Sequence, residues 1–266
     1  MITLLKKSIR DLYPILHKLE SIVGKPKLIN RSGFEQFRYP NEDINTLSLI
    51  KSARILSSLN AIMVLIEYGY IVEVGVLIRT IKECIADISF IFEDFPEKWP
   101  SVEQKKYMDD FFSEEFSDPL NPVYTARKRD RVSSKKIHAA FARNAYNLSK
   151  KIKNARLREL VLKIANPSDH QRATFTILNL FSGYVHYAYP QSIEIVGGSP
   201  PRFHLEGLAG TPKIDEWMGY IISEIYSVYN YFMFLCLKFG FNDELEYVSF
   251  KQKVFSKVSG YDPKLE

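Results

Sequence analysis

The sequence predicts an all-α protein: a single-domain helical bundle over residues 1–266, with about seven or eight helices and a small β-hairpin near 192–206. Three observations carry that expectation. Apolar residues recur at steps of three and four through most of the chain, the period of helices with one buried face. Strict alternation is confined to Ser192–Val196 and Arg202–Glu206, on either side of Gly197-Gly198-Ser199-Pro200-Pro201. No repeat, low-complexity tract or evident linker divides the 266 residues.

Taken in order, Ile2–Val23 places Leu5, Ile9, Leu12, Leu16, Leu19 and Ile22 on one face, a helix ended by Gly24 and Pro26. Residues 25–42 are rich in polar and turn-forming residues and are expected to be a loop. Asn41 or Asp43 can cap the next helix, which runs to about Glu67. Tyr68-Gly69-Tyr70 then breaks the chain before a largely apolar helix over Tyr70–Phe92. So short a link predicts an antiparallel helical hairpin.

Charge is distributed unevenly after that. Hydrophobic residues at 46% and charged residues at 25%, with a formal net charge of +5, are ordinary for a globular chain of this size. Aromatic residues at 14% favour bulky helix packing. Yet residues 93–118 carry a net −6 and residues 127–163 a net +11. Further on, Asn166-Pro167-Ser168 opens a helix reaching about His186. Thr211-Pro212 is a cap followed by proline, and it starts a long aromatic helix to Phe239. A short charged helix and tail follow.

The N-terminal stretch lacks the apolar run and cleavage site of a signal peptide. Trp217–Phe239 is apolar enough to suggest a membrane span. Ser223, Glu224, Ser227 and Asn230 on one of its sides point instead to a buried amphipathic helix. The expectation is a cytoplasmic protein with no membrane partner. The two cysteines, Cys84 and Cys236, are expected to be reduced core thiols. The histidines have no metal-ligand spacing, so no metal and no cofactor is expected.

Candidate chemistry centres on Arg79 and Glu83, four apart on the helix over Tyr70–Phe92 and flanked by Val76, Ile78, Ile81 and Ile85. Such a pair can be a buried tie between helices, an anchor for an anionic ligand, or plain exposed charge. The expectation is that both side chains are mostly buried, with His186 nearby as a general acid or base. The basic segment supplies candidate nucleic-acid contacts: Arg127, Lys128, Arg129, Arg131, Lys135, Lys136, Lys150, Lys151 and Lys153. Against that stands a solvated helical face, docked on the acidic segment of the same or another subunit.

The helical hairpin with Gly69, Leu77-Ile78-Arg79 and Glu83, followed by Tyr184-Val185-His186, resembles uncharacterised bacterial helical proteins with a HEPN-like (higher eukaryotes and prokaryotes nucleotide-binding) layout. The resemblance implies binding or cleavage of RNA in defence or stress response, and, for an enzyme, a metal-independent ribonuclease. Active members use an Arg and a His separated by four to six residues, with a polar residue typically following the Arg. Here Arg131 and His138 have that separation, with Val132 after the Arg; Arg172 and His186 are too far apart. His186 with Arg79 is set ahead of His138 with Arg131 as the catalytic pair. The alternative is a non-catalytic, self-associating interaction module, a homo-oligomer such as a homodimer, in which the Arg/Glu/His cluster is structural.

Overall fold

The computed structural model describes residues 1–31, 34–96, 99–113, 118, 122–126, 131–137, 139, 181–186 and 188–262. The protein is all-α with minor β-hairpins. Its elements are α1 (Ile2–Arg10), α2 (Tyr13–Val23), β1 (Lys27–Arg31), β2 (Phe34–Arg38), α3 (Ile44–Tyr68), α4 (Ile71–Ile91), α5 (Val102–Phe112) and α6 (Pro122–Thr125). They continue with α7 (Tyr189–Ser192), β3 (Val196–Gly197), β4 (Arg202–Phe203), α8 (Pro212–Phe239) and α9 (Asn242–Ser259).

Two elements differ from the sequence expectation. The first helix is broken at Asp11-Leu12 into α1 and α2. Pro14, the second residue of α2, has no N–H to give, and its ring would collide with the carbonyl of Arg10 in a continuous helix. The expected loop over 25–42 contains an antiparallel hairpin instead, with Leu28 opposite Phe37 and Asn30 opposite Glu35. The reason is visible in the residues. Leu28-Ile29 and Phe34 with Phe37 are strand formers. The second hairpin stands where it was expected but is shorter, pairing Val196 with Phe203 and Gly197 with Arg202. By length and composition, α3 is the one helix among the described residues that could cross a membrane, with half of its most apolar window buried inside the fold.

The chain forms two compact units. One gathers Met1–His17, Ser52–Ile85 and the described part of Ser168–Glu266. Its core is α8, which buries Trp217, Ile221, Ile225, Val228, Tyr229 and Phe232. The Tyr229 hydroxyl donates to the Ser8 carbonyl at 3.0 Å, and Tyr231 meets Ser52 at 2.9 Å, tying α8 to α1 and α3. The turn after α3 depends on glycine. Gly69 has φ of 78°, and its carbonyl accepts from the Leu208 N–H at 3.0 Å. A Cβ there would lie 2.2 Å from the Ala209 nitrogen, so no other residue fits. Gly240, in the left-handed conformation, ends α8, and α9 folds back along it.

The other unit gathers Lys18–Lys51 and the described part of Ala86–Pro167. Lys51 of α3 reaches Asp87 of α4 at 2.6 Å. Since these positions lie equally far from the Gly69 turn, α3 and α4 are antiparallel. The Lys51 ammonium also sits 5.0 Å from the centre of the Phe111 ring. Ser101 caps α5, and the Gln104 side chain closes a capping box at 2.7 Å on the Ser101 N–H. The Gln104 amide then donates to the carbonyls of Phe90, Ile91 and Glu93 at 3.0, 3.2 and 2.8 Å. Phe90 and Ile91 lie in the last turn of α4, where the carbonyls have run out of partners within the helix.

Candidate functional site

On α4, the guanidinium of Arg79 clasps Glu83, with Nε and Nη2 both 2.9 Å from Oε1. Four residues make just over one turn, which places the two side chains one above the other. The Arg79 side chain is 14% exposed and that of Glu83 is 51% exposed. The expectation of burial therefore holds for Arg79 and fails for Glu83, whose position on α4 turns its carboxylate to solvent.

His186 ends a short helical stretch over 181–185 and is exposed. Its backbone N–H donates to the Ser182 carbonyl at 3.1 Å. Its imidazole hydrogen-bonds neither Arg79 nor Glu83, so the three do not form the expected cluster among the described residues. The residues of that stretch that face the core are Phe181 and Tyr184, and Tyr184 carries the polar group. Its ring lies against Gly75, where a Cβ would come within 2.7 Å, and edge-on to Trp217 at 5.4 Å. Its hydroxyl donates to Glu194 at 2.5 Å, and Glu194 in turn lies 3.8 Å from Lys213. Burial, reinforced by the Glu194 hydrogen bond, raises the Tyr184 pKa far above the usual tyrosine value.

The buried charge pair is a different one. Lys82 crosses from α4 to α8, with its Nζ 2.8 Å from Glu224 Oε2 and donating to Ser227 Oγ at 3.0 Å. Glu224 is 3% exposed, and its Oε1 has no hydrogen-bond partner among the described residues. Burial pushes the Glu224 carboxyl upward, and the Lys82 charge and hydrogen bond oppose that shift. The sequence signal was half present. Glu224 and Ser227 stood out as polar positions on an apolar helix, while Lys82 was not among the candidates. The other two polar positions of α8 are also engaged: Ser223 lies 3.3 Å from Tyr261, and Asn230 accepts from Gln252 of α9.

Of the basic candidates, Arg131, Lys135 and Lys136 are described. Arg127, Lys128, Arg129, Lys150, Lys151 and Lys153 lie outside the described residues, as do His138 and Arg172. Arg131 lies 3.8 Å from Asp110 of α5, and Lys136 is ion-paired with Glu103 of the same helix. Lys135 is exposed. Both paired cations thus meet the acidic segment of their own chain, the arrangement expected of a docked basic face.

Cys84 and Cys236 are buried and are not joined in a disulfide. Among the described residues, no three His, Cys, Asp or Glu side chains converge as a metal site. An open groove of about 400 Å³ lies along α8 and the end of α9, lined by Glu216, Tyr220, Ile222, Ser259 and Tyr261. Neither Arg79, Lys82, Glu224 nor His186 lines it. General acid–base chemistry on a phosphate needs an imidazole and a cation within reach of one reacting group. The structure sets Arg79 beside Glu83 and leaves the exposed His186 without a hydrogen bond to either. Comparison with protein-family models, with curated proteins and with solved structures finds no match for the chain.

Proposed function

We propose that this chain is a non-catalytic helical interaction module that associates with copies of itself, with Arg79–Glu83 and Lys82–Glu224 serving architecture. The observation that carries the reading is the pairing within the chain of three of the four described candidate cations, Lys135 being the exposed exception, together with that of Lys82. Arg79 is held by Glu83, Lys82 by Glu224, and Arg131 and Lys136 lie against Asp110 and Glu103. A cation already neutralised beside its own carboxylate is a poor phosphate ligand, because the anion must displace the resident partner. The experiment is incubation of the full chain with a broad panel of labelled RNAs, chelator present, alongside sedimentation of the same sample. The expected result is intact RNA and a mass that grows with concentration. Cleavage that is lost in His186→Ala would overturn it.

A second reading keeps the HEPN-like layout and has the chain bind or cleave RNA in a bacterial defence or stress response. It is favoured by the net +11 over residues 127–163. Under it, retention on RNA falls steeply with salt and is abolished by reversing Lys150, Lys151 and Lys153 to Glu. Retention unchanged by that reversal would remove this surface from consideration.

A further inference from the structure

Helix α9 buries Leu245, Val248, Gln252 and Phe255 against the fold, and this leaves the opposite side to solvent. That outer side is not uniformly polar. Phe250, Val254 and Val258 are 62%, 42% and 58% exposed and recur every four residues. An apolar stripe of this kind costs solubility unless something covers it. The exposed charges beside it are sorted along the helix. Asp243 and Glu246 stand in the N-terminal half, Lys253 and Lys257 in the C-terminal half. At 100° per residue all seven side chains fall within an arc of about 140°.

We infer that this face of α9 binds the same face of a second copy of the chain, with the two helices antiparallel about a two-fold axis at Phe250. The inference rests on the self-association proposed above and names its surface. The charges select both the occupant and the direction. When two identical helices run antiparallel about Phe250, Asp243 of each lies level with Lys257 of the other. Glu246 then falls level with the Lys253–Val254 turn, and Phe250 meets its own copy. In an antiparallel pair the same flank of each helix meets its counterpart, so Glu246 and the two lysines, all on one flank, come together. A parallel pair would instead set acid against acid and base against base. The arrangement is self-complementary, as a two-fold interface must be. Three apolar side chains and four charges per copy make a contact below the roughly 1,200 Å² of a stable complex, so the dimer is weak and reversible.

Sedimentation velocity of the full chain, from micromolar to near-millimolar, is expected to show a shift from 30.9 kDa towards twice that mass. Phe250→Glu puts two carboxylates at the axis and should raise the dissociation constant at least about tenfold. Val254→Glu is the second variant, and circular dichroism checks that each keeps the wild-type fold. Lys253→Glu/Lys257→Glu makes the face wholly acidic, and Asp243→Lys/Glu246→Lys makes it wholly basic. Each should be monomeric alone, and an equimolar mixture of the two should dimerise. A wild type that stays monomeric throughout would overturn the inference together with the self-association reading. A dimer indifferent to both Phe250→Glu and Val254→Glu would overturn the inference alone. Charge-reversed variants that each dimerise like the wild type would overturn the antiparallel register.

Discussion

Replacing Lys82 with Met tests whether the Lys82–Glu224 pair is the structural tie it is read as. The substitution keeps most of the side-chain volume on α4 and removes the ammonium 2.8 Å from Glu224 Oε2. Because Glu224 Oε1 has no hydrogen-bond partner among the described residues, the carboxyl is left buried without the charge that matched it. Breaking one side of a buried pair costs about 3–5 kcal/mol, a large share of the roughly 5–15 kcal/mol by which a domain is stable. Urea unfolding should show that loss. The double variant Lys82→Met/Glu224→Leu removes both charges and should recover most of the loss, or exceed the wild type by about 1–4 kcal/mol. The pH dependence follows from the raised carboxyl pKa of Glu224, which burial causes and Lys82 opposes. An acid that holds its proton more tightly when folded contributes fully below its unfolded value, and that contribution is lost as pH rises towards the folded value. Without Lys82 the folded value climbs further, so the deficit of Lys82→Met should grow as pH rises above the ordinary glutamate value. A single variant within about 0.5 kcal/mol of wild type, or a double variant as unstable as the single, would refute the reasoning.

Glu83→Ala should cost less than about 1 kcal/mol in the same urea assay, because Glu83 is half exposed and a solvated pair contributes little. Gln104→Ala strips a hydrogen-bond donor from the Phe90, Ile91 and Glu93 carbonyls and opens the capping box. It should cost about 1–3 kcal/mol, with amide exchange at the start of α5 accelerated beyond the global loss. His186→Ala, at an exposed position, should change stability by no more than about 0.5 kcal/mol in thermal unfolding; a larger loss would show that the imidazole has a structural partner.

The long helices were legible because their evidence is local. The apolar period of α3, α4 and α8, the break at Gly69 and the Thr211-Pro212 start are all written within a few residues of where they act. What was misread has equally physical causes. Pro14 interrupts a helix whose apolar face continues unbroken through it, so periodicity alone carries straight past the break. The β1–β2 hairpin lies in a stretch whose polar residues suggest a loop, and neither of its five-residue strands alternates apolar with polar residues. The site shows the same division. Arg79 and Glu83 meet because one helix places them together, and spacing reveals that. Lys82 meets Glu224 across 142 positions of chain, and no spacing rule reaches so far. His186 stood out for its aromatic neighbours, yet in that stretch it is Phe181 and Tyr184 that turn inward, while His186 at the helix end faces solvent.

The bond from Leu208 to Gly69 has a consequence for how the protein is made. One unit is assembled from three separated pieces of chain, and α8, its central helix, leaves the ribosome more than a hundred residues after α4. At about 5–20 residues per second, the apolar α3–α4 hairpin waits for several seconds to tens of seconds before its covering helix exists. During that interval Ile62, Met63, Ile71, Val74 and Ile78, all buried in the finished protein, face water or a chaperone. Chains truncated anywhere between α4 and α8 should therefore aggregate or remain chaperone-bound. Release should begin only once the glycine turn at Gly69 has a Leu208 to receive.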